Sequence, residues 1–145
     1  MCTPVKEVTL EWGAEVATAG ATELMKNTTD RARPNGGGKS LPSGHASAAF
    51  SSSSLANRNL KSIRMSENLR IPLQAGNILL ATGVGWARVE AGKHFPSDVL
   101  AGAALGHFLS VFVHDAFMGL PDDNGLSFYI LPSKHGGMIG LSFGF

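Results

Sequence analysis

Arg88-Val89-Glu90-Ala91-Gly92-Lys93-His94-Phe95-Pro96-Ser97-Asp98 sets a guanidinium, an imidazole and a carboxylate at fixed intervals, just ahead of a long apolar run. Proline is well placed in a first helical turn, so the stretch predicts a helix that begins at Pro96 or Ser97 and carries Asp98 in that turn. His94 lies just before the helix start, four residues from Asp98. A carboxylate so placed is expected to accept a hydrogen bond from one imidazole nitrogen, fixing the tautomer and leaving the other lone pair outward. An imidazole held this way is a nucleophile or a base. Arg88 supplies a permanent planar cation suited to an oxyanion, phosphate above all. Taken alone, a loop with a surface ion pair and a helix cap would explain the same residues.

Two further stretches change that balance. In Pro42-Ser43-Gly44-His45, Ser43 is a good N-cap and Gly44 lets a backbone approach a ligand closely. A helix is predicted over Ala46 to Leu60, with exposed amides at its start that form an anion site and His45 beside them. Lys26, followed after six residues by Arg33-Pro34, adds two more cations. Three separate segments therefore bring phosphate-binding groups, and two of them bring a histidine.

Together these segments resemble the three-part signature of the type 2 phosphatidic acid phosphatase and vanadium haloperoxidase superfamily. The order agrees, as do the spacings Lys-six-Arg-Pro and Arg-five-His-three-Asp, over about residues 20 to 115. Two features depart from the family pattern. Ala87 stands where the family has a serine, and the gap from Pro34 to Pro42 is short, so any loop covering the substrate there is small.

The resemblance implies an all-α helical bundle of the acid phosphatase and vanadium haloperoxidase type, with the site at one end between helix starts. It implies a metal-independent phosphatase that needs no cofactor. His94 attacks phosphorus to give a phosphohistidine, Asp98 orients His94, and His45 protonates the leaving group and then activates water. Lys26, Arg33 and Arg88, with Ser43 and Gly44 and their amides, bind the substrate phosphate. This agrees with the reading of the residues themselves, because phosphoryl transfer asks chiefly for positioning and charge stabilisation. The apolar helices suggest a lipid phosphate such as phosphatidic acid, phosphatidylglycerol phosphate or a prenyl diphosphate. A soluble non-specific acid phosphatase, a vanadium-dependent haloperoxidase and a membrane-anchored binding module with an incomplete site stay open.

Composition narrows the choice. A chain of 145 residues with 43% hydrophobic content is one domain with a real core. The formal net charge of +1 gives no basic field, so no nucleic-acid partner is expected. Cys2 is the single cysteine, which excludes an internal disulfide and a zinc–thiolate cluster. No group of His, Cys or carboxylates has metal-ligand spacing. Met1 to Glu7 lacks the charged and apolar regions of a signal peptide. The resembled family works in membranes or outside the cytoplasm and carries additional N-terminal helices. A membrane-associated or periplasmic protein in truncated or processed form is therefore expected. Gly38-Lys39-Ser40 contains the Gly-Lys-Ser of a nucleotide loop, but that pattern needs glycine at position 33, which is Arg33. Lys39 is expected to add positive potential near the site.

Elsewhere, a helix is predicted from Val16 to Met25, ending near Asp30 to Arg33 before Pro34, with Lys26 in its last turns. Asn57 to Arg70 reads as a polar surface connection that anionic lipid headgroups would suit. A helix follows from Pro72 to Glu90. Val99 to Val113 is the strongest apolar run, and its Gly102, Ala103 and Gly106 allow close helix contact. These two apolar runs approach membrane-spanning length without about twenty clean apolar residues. His107 and His114 are expected to pack or cap. After a turn over Pro121 to Gly125, Leu126 to Leu131 and Met138 to Phe145 read as a small C-terminal β-hairpin, with His135 exposed in its turn.

Overall fold

The computed structural model describes residues 4–118, 126–133 and 136–143, with side chains over residues 8–117. Four helices come in order: α1 (Pro4–Thr29), α2 (Gly44–Ser62), α3 (Glu67–Glu90) and α4 (Pro96–Met118). A two-stranded antiparallel hairpin follows, β1 (Leu126–Ser133) and β2 (Gly136–Phe143), with Leu126 opposite Phe143 and Ser133 opposite Gly136. The protein is thus an all-α bundle with an appended hairpin, as the sequence indicated. The turn over Pro121 to Gly125 and His135 lie outside the described residues.

The α2–α4 pair forms the centre, and α1 and α3 flank it; among the described residues α1 and α3 do not touch. Small residues bring the central pair together. A Cβ on Gly102 would sit 2.4 Å from the Ser43 carbonyl oxygen, and one on Gly106 only 2.0 Å from that of Ser47. The two glycines therefore do provide the close approach expected of them. The Thr22 and Ser47 hydroxyls join α1 to α2 at 2.9 Å. Asn57 exchanges amide hydrogen bonds with Gln74 and accepts one from Asn77 at 2.9 Å, joining α2 to α3. Arg58 pairs with Asp115 of α4 at 2.7 Å. Ser54 meets Nδ1 of His107 at 2.8 Å and His114 is buried, so both histidines take structural contacts as expected.

Two expectations need correction. First, α1 starts at Pro4 rather than near Val16, with proline in the favoured first position. Second, the polar connection is short. α2 runs on to Ser62 and α3 already begins at Glu67, with Pro72 inside it. Asn57 and Arg58 are polar because they face neighbouring helices, not because they lie in a loop. The expectation for α4 is not overturned: it is long and apolar enough to cross a membrane over Pro96–Phe117, at a mean hydropathy of 1.4. Polar residues such as His107 and Ser110 interrupt it, as the sequence indicated.

The interior is unusual for its size. Among the described residues the buried hydrophobic side chains are Ala14, Ala46, Leu55 and Ala81, while serines and threonines fill much of the remaining interior. The large apolar side chains point outward: Trp12, Leu80, Trp86 and Leu100 are each exposed by about two thirds or more. A surface of that kind is characteristic of a face that meets lipid or another protein.

Candidate active site

The site is assembled where α3 ends and α2 and α4 begin. Gly92 closes α3 with φ of +62°, a conformation glycine adopts without strain. The Lys93 and His94 amides then both donate to the Arg88 carbonyl, at 3.1 and 3.3 Å. One carbonyl thus fixes the relation between the guanidinium on the last turn and the imidazole beyond it. α4 starts at Pro96 as predicted, and the Asp98 carboxylate reaches back to accept the Phe95 amide at 2.8 Å. That is the reaching-back half of a capping box.

The second segment docks on this one. The Ser43 amide donates to the Asp98 carbonyl at 2.9 Å, and the Ser43 hydroxyl accepts the Ala46 amide at 3.4 Å as N-cap of α2. Its carbonyl also accepts the Ser47 amide at 2.9 Å. Ser43 is therefore committed to the fold at its amide, hydroxyl oxygen and carbonyl. Of the first helical amides, those of Gly44 and His45 are left for an anion. Lys26 reaches the same place from α1: a Cβ on Gly44 would lie 3.2 Å from its Nζ. Glycine at 44 is what leaves room for the ammonium.

Asp98 departs from the sequence expectation. Its Oδ2 lies 3.9 Å from His94 Nδ1, too far for a hydrogen bond. His94 Nδ1 is instead 2.9 Å from the Ser40 carbonyl oxygen. A carbonyl only accepts, so Nδ1 carries the proton and Nε2 holds the lone pair. The expected tautomer is present but another acceptor fixes it. The fully buried carboxylate is occupied by the Ser40 hydroxyl and Phe95 amide on Oδ2 and by Arg31 Nη1 on Oδ1, the last at 2.9 Å.

The cations converge on the histidines. Burial, then the charges of Arg88, Lys26 and Arg33, hold the His45 pKa below its ordinary value. Burial is also the main reason His94 lies below its ordinary value, with Arg33 and Arg88 acting in the same direction. The Ser40 carbonyl and the Asp98 charge oppose them. Arg33 is steadied by its Nε–H bond to the Lys39 carbonyl at 3.2 Å. Arg88 Nε is buried and meets no acceptor among the described residues. Lys26 is paired with Glu23 at 2.6 Å, so three cations and one carboxylate leave two net positive charges. Lys39 turns away to Asn27 at 3.2 Å and Asp30 at 3.4 Å, and it is not among the charges acting on either histidine.

Such a set suits a dianion, placed beside an imidazole whose Nδ1 is turned to a carbonyl and whose Nε2 is left with the lone pair. The PAP2 superfamily profile matches residues 35–122, which include the second and third motifs and more than half of the chain. The chain belongs to the PAP2 superfamily. Membership places it in a superfamily of the phosphatase and haloperoxidase type, whose phosphatases act on phosphate esters. Lys26 and Arg33 fall outside the matched residues, yet their charges reach the site of this PAP2 protein. No curated protein and no solved structure matches the chain significantly.

Three residues of the PAP2 site were not visible in the motifs. Glu23 had a readable signal, because it lies three residues before Lys26 on a helix. Arg31 and Ser40 had none, because their partners are far away in the chain. An apolar cavity of about 320 Å³ is lined by residues of α2, α3 and α4, among them Phe50, Trp86, Val89, Pro96, Val99 and Leu100. It shares Phe50, Leu100 and Ala103 with a second cavity of about 620 Å³ between α2, α3 and α4.

Proposed function

We propose that the protein is a metal-independent phosphatase that hydrolyses lipid phosphomonoesters through a phosphohistidine at His94. The observation that carries this is the convergence of Arg33 and Arg88 on both histidines, with Lys26 acting on His45 and the Ser40 carbonyl leaving Nε2 of His94 as its lone pair. His94 Nε2 attacks phosphorus in line with the leaving alkoxide. The two net positive charges match a phosphate dianion, and the unpartnered Arg88 Nε supplies a donor to it. The amides of Gly44 and His45 add two more donors. His45 protonates the leaving oxygen as the P–O bond breaks. Water, deprotonated by His45, then attacks the phosphohistidine, releasing phosphate and restoring the His94 lone pair.

The free site disfavours a charged His45, whereas the general acid must be protonated. The bound substrate resolves this, because its negative charge offsets the three cations and raises the His45 pKa. A lipid substrate is supported by the apolar cavity lined by Val89 and Pro96, the chain neighbours of Arg88 and Phe95, and by its continuation between the helices. The outward apolar side chains and the composition of α4 support attachment to a membrane.

A phosphate-release screen tests this reading. Phosphatidic acid in mixed micelles and short soluble phosphomonoesters are compared, each with and without EDTA. Faster turnover of the lipid, unchanged by EDTA, is expected. Equal turnover of soluble esters without regard to detergent would remove the lipid assignment. Loss with EDTA and recovery with a divalent cation would remove the phosphohistidine.

A further inference from the structure

We propose that Ser40 is the positioning residue for His94, and that Asp98 acts on the imidazole through Ser40 rather than by touching it. His94 Nδ1 lies 2.9 Å from the Ser40 carbonyl oxygen but 3.9 Å from the nearer Asp98 oxygen. Ser40 is fully buried and held at three points. Its amide donates to the Arg31 carbonyl at 2.7 Å, its hydroxyl to Asp98 Oδ2, and its carbonyl accepts from His94. The same Oδ2 accepts the amide of Phe95, the residue next to His94. The carboxylate thus grips the peptide that receives the imidazole proton and the peptide that follows the imidazole.

Arg31 completes the clamp. Its Nη1 lies 2.9 Å from both Asp98 Oδ1 and the Ser97 hydroxyl, and its guanidinium stacks 4.3 Å from the centre of the Phe95 ring. Asp98 therefore has donors on both oxygens, and none of them is the imidazole. A neutral carbonyl fixes the Nδ1–H tautomer without taking the proton. When Nε2 forms its bond to phosphorus the ring becomes cationic, and the Nδ1–H bond to Ser40 strengthens as its donor gains charge. Asp98, near but not bonded, stabilises that charge without competing for the proton. A carboxylate in direct contact would instead pull on the Nδ1 proton in the resting state.

The kinetic part of the test rests on the phosphatase reading; the spectroscopic part does not. The full chain with ¹⁵N-labelled histidine is studied by NMR above the ordinary histidine pKa. In the unmodified protein His94 is expected as the Nδ1–H tautomer, without the extreme proton deshielding of an imidazole–carboxylate bond. Such a deshielded proton would overturn the proposal without recourse to any variant. In Ser40→Ala the carbonyl remains but its tether to Asp98 is gone, so the Nε2–H tautomer should appear. The kcat on p-nitrophenyl phosphate should fall about ten- to a hundredfold, with KM little changed. Ser40→Cys, which keeps a weak donor, should recover part of the loss. Ser40→Ala combined with Asp98→Asn should be no worse than the poorer single variant, because both cut one path. A folded Ser40→Ala with an unaltered tautomer, or fully additive losses, would overturn the proposal. An unmodified protein with no phosphatase activity would end the functional reading, while the NMR result would still decide the role of Ser40.

Discussion

Gly106→Ala puts a single methyl group between α4 and the backbone of α2. The added Cβ would lie 2.0 Å from the Ser47 carbonyl oxygen, 2.8 Å from its carbon and 3.0 Å from its Cα. Ordinary contact begins at 3.4 Å, so the helices must part by about 1.4 Å at this point. The obstructing atoms belong to helix backbone and cannot rotate away. Overpacking costs about 1–3 kcal/mol in general, and the upper end applies here. Replacing a helical glycine by alanine gains back about 1 kcal/mol, leaving a net loss of about 2 kcal/mol. Gly83→Ala is the control, because a Cβ there meets nothing within 4 Å. It should gain up to about 1 kcal/mol from propensity alone. The two variants should differ by about 3 kcal/mol, or roughly 10 °C in Tm for a domain of this size. Thermal unfolding followed by far-UV circular dichroism reads the difference. A Gly106→Ala protein that melts at or above the unmodified one would refute the close α2–α4 contact.

Four further outcomes are expected. Activity should survive EDTA and be blocked by vanadate, which mimics the five-coordinate phosphorus that the cations favour; steady-state inhibition measures this, and insensitivity to vanadate would count against the site. His45 and His94 both lie below the ordinary value of 6.5 in the free protein, so kcat/KM should peak at acid pH. The basic limb of kcat should then lie higher, because bound phosphate raises His45. Folding stability has the matching sign. His94 is buried neutral, so its contribution is complete above pH 6.5 and is lost as pH falls through its depressed folded pKa; pH-dependent urea unfolding checks the slope. Deleting residues 126–145 should lower stability or solubility more than turnover, and a well-folded deletion with no turnover would contradict this.

The parts of the fold that could be read in advance are those written in neighbouring residues. Ser43 capping α2 and Pro96 opening α4 are short-range effects, and the second and third motifs lie at these ends. The Gly102 and Gly106 contact was legible for a similar reason: absent side chains at helical spacing leave a flat face. Helix lengths were less legible, because outward-facing apolar residues and inward-facing serines reverse the usual pattern of amphipathic helices. The Asp98 network was not legible at all. Ser40 and Arg31 meet Asp98 across 58 and 67 residues of chain, and neither stands out from its loop. The spacing of His94 and Asp98 suggested a direct bond that the Ser40 carbonyl makes instead.

The division of labour between the two histidines is the central claim, and rapid-quench kinetics on His94→Ala and His45→Ala test it most directly. Initial rates are measured on p-nitrophenyl phosphate and on an alkyl phosphate, with an acid-labile phosphate assay on the quenched enzyme. Without His94 there is no attacking nitrogen, so turnover of both substrates and all phosphoenzyme should vanish. Without His45 the alkoxide leaves unprotonated, whereas p-nitrophenolate is already a good leaving anion. His45→Ala should therefore retain more activity on the aryl ester and still form phosphohistidine. A phosphoenzyme in His94→Ala, or equal losses on both substrates in His45→Ala, would contradict the account.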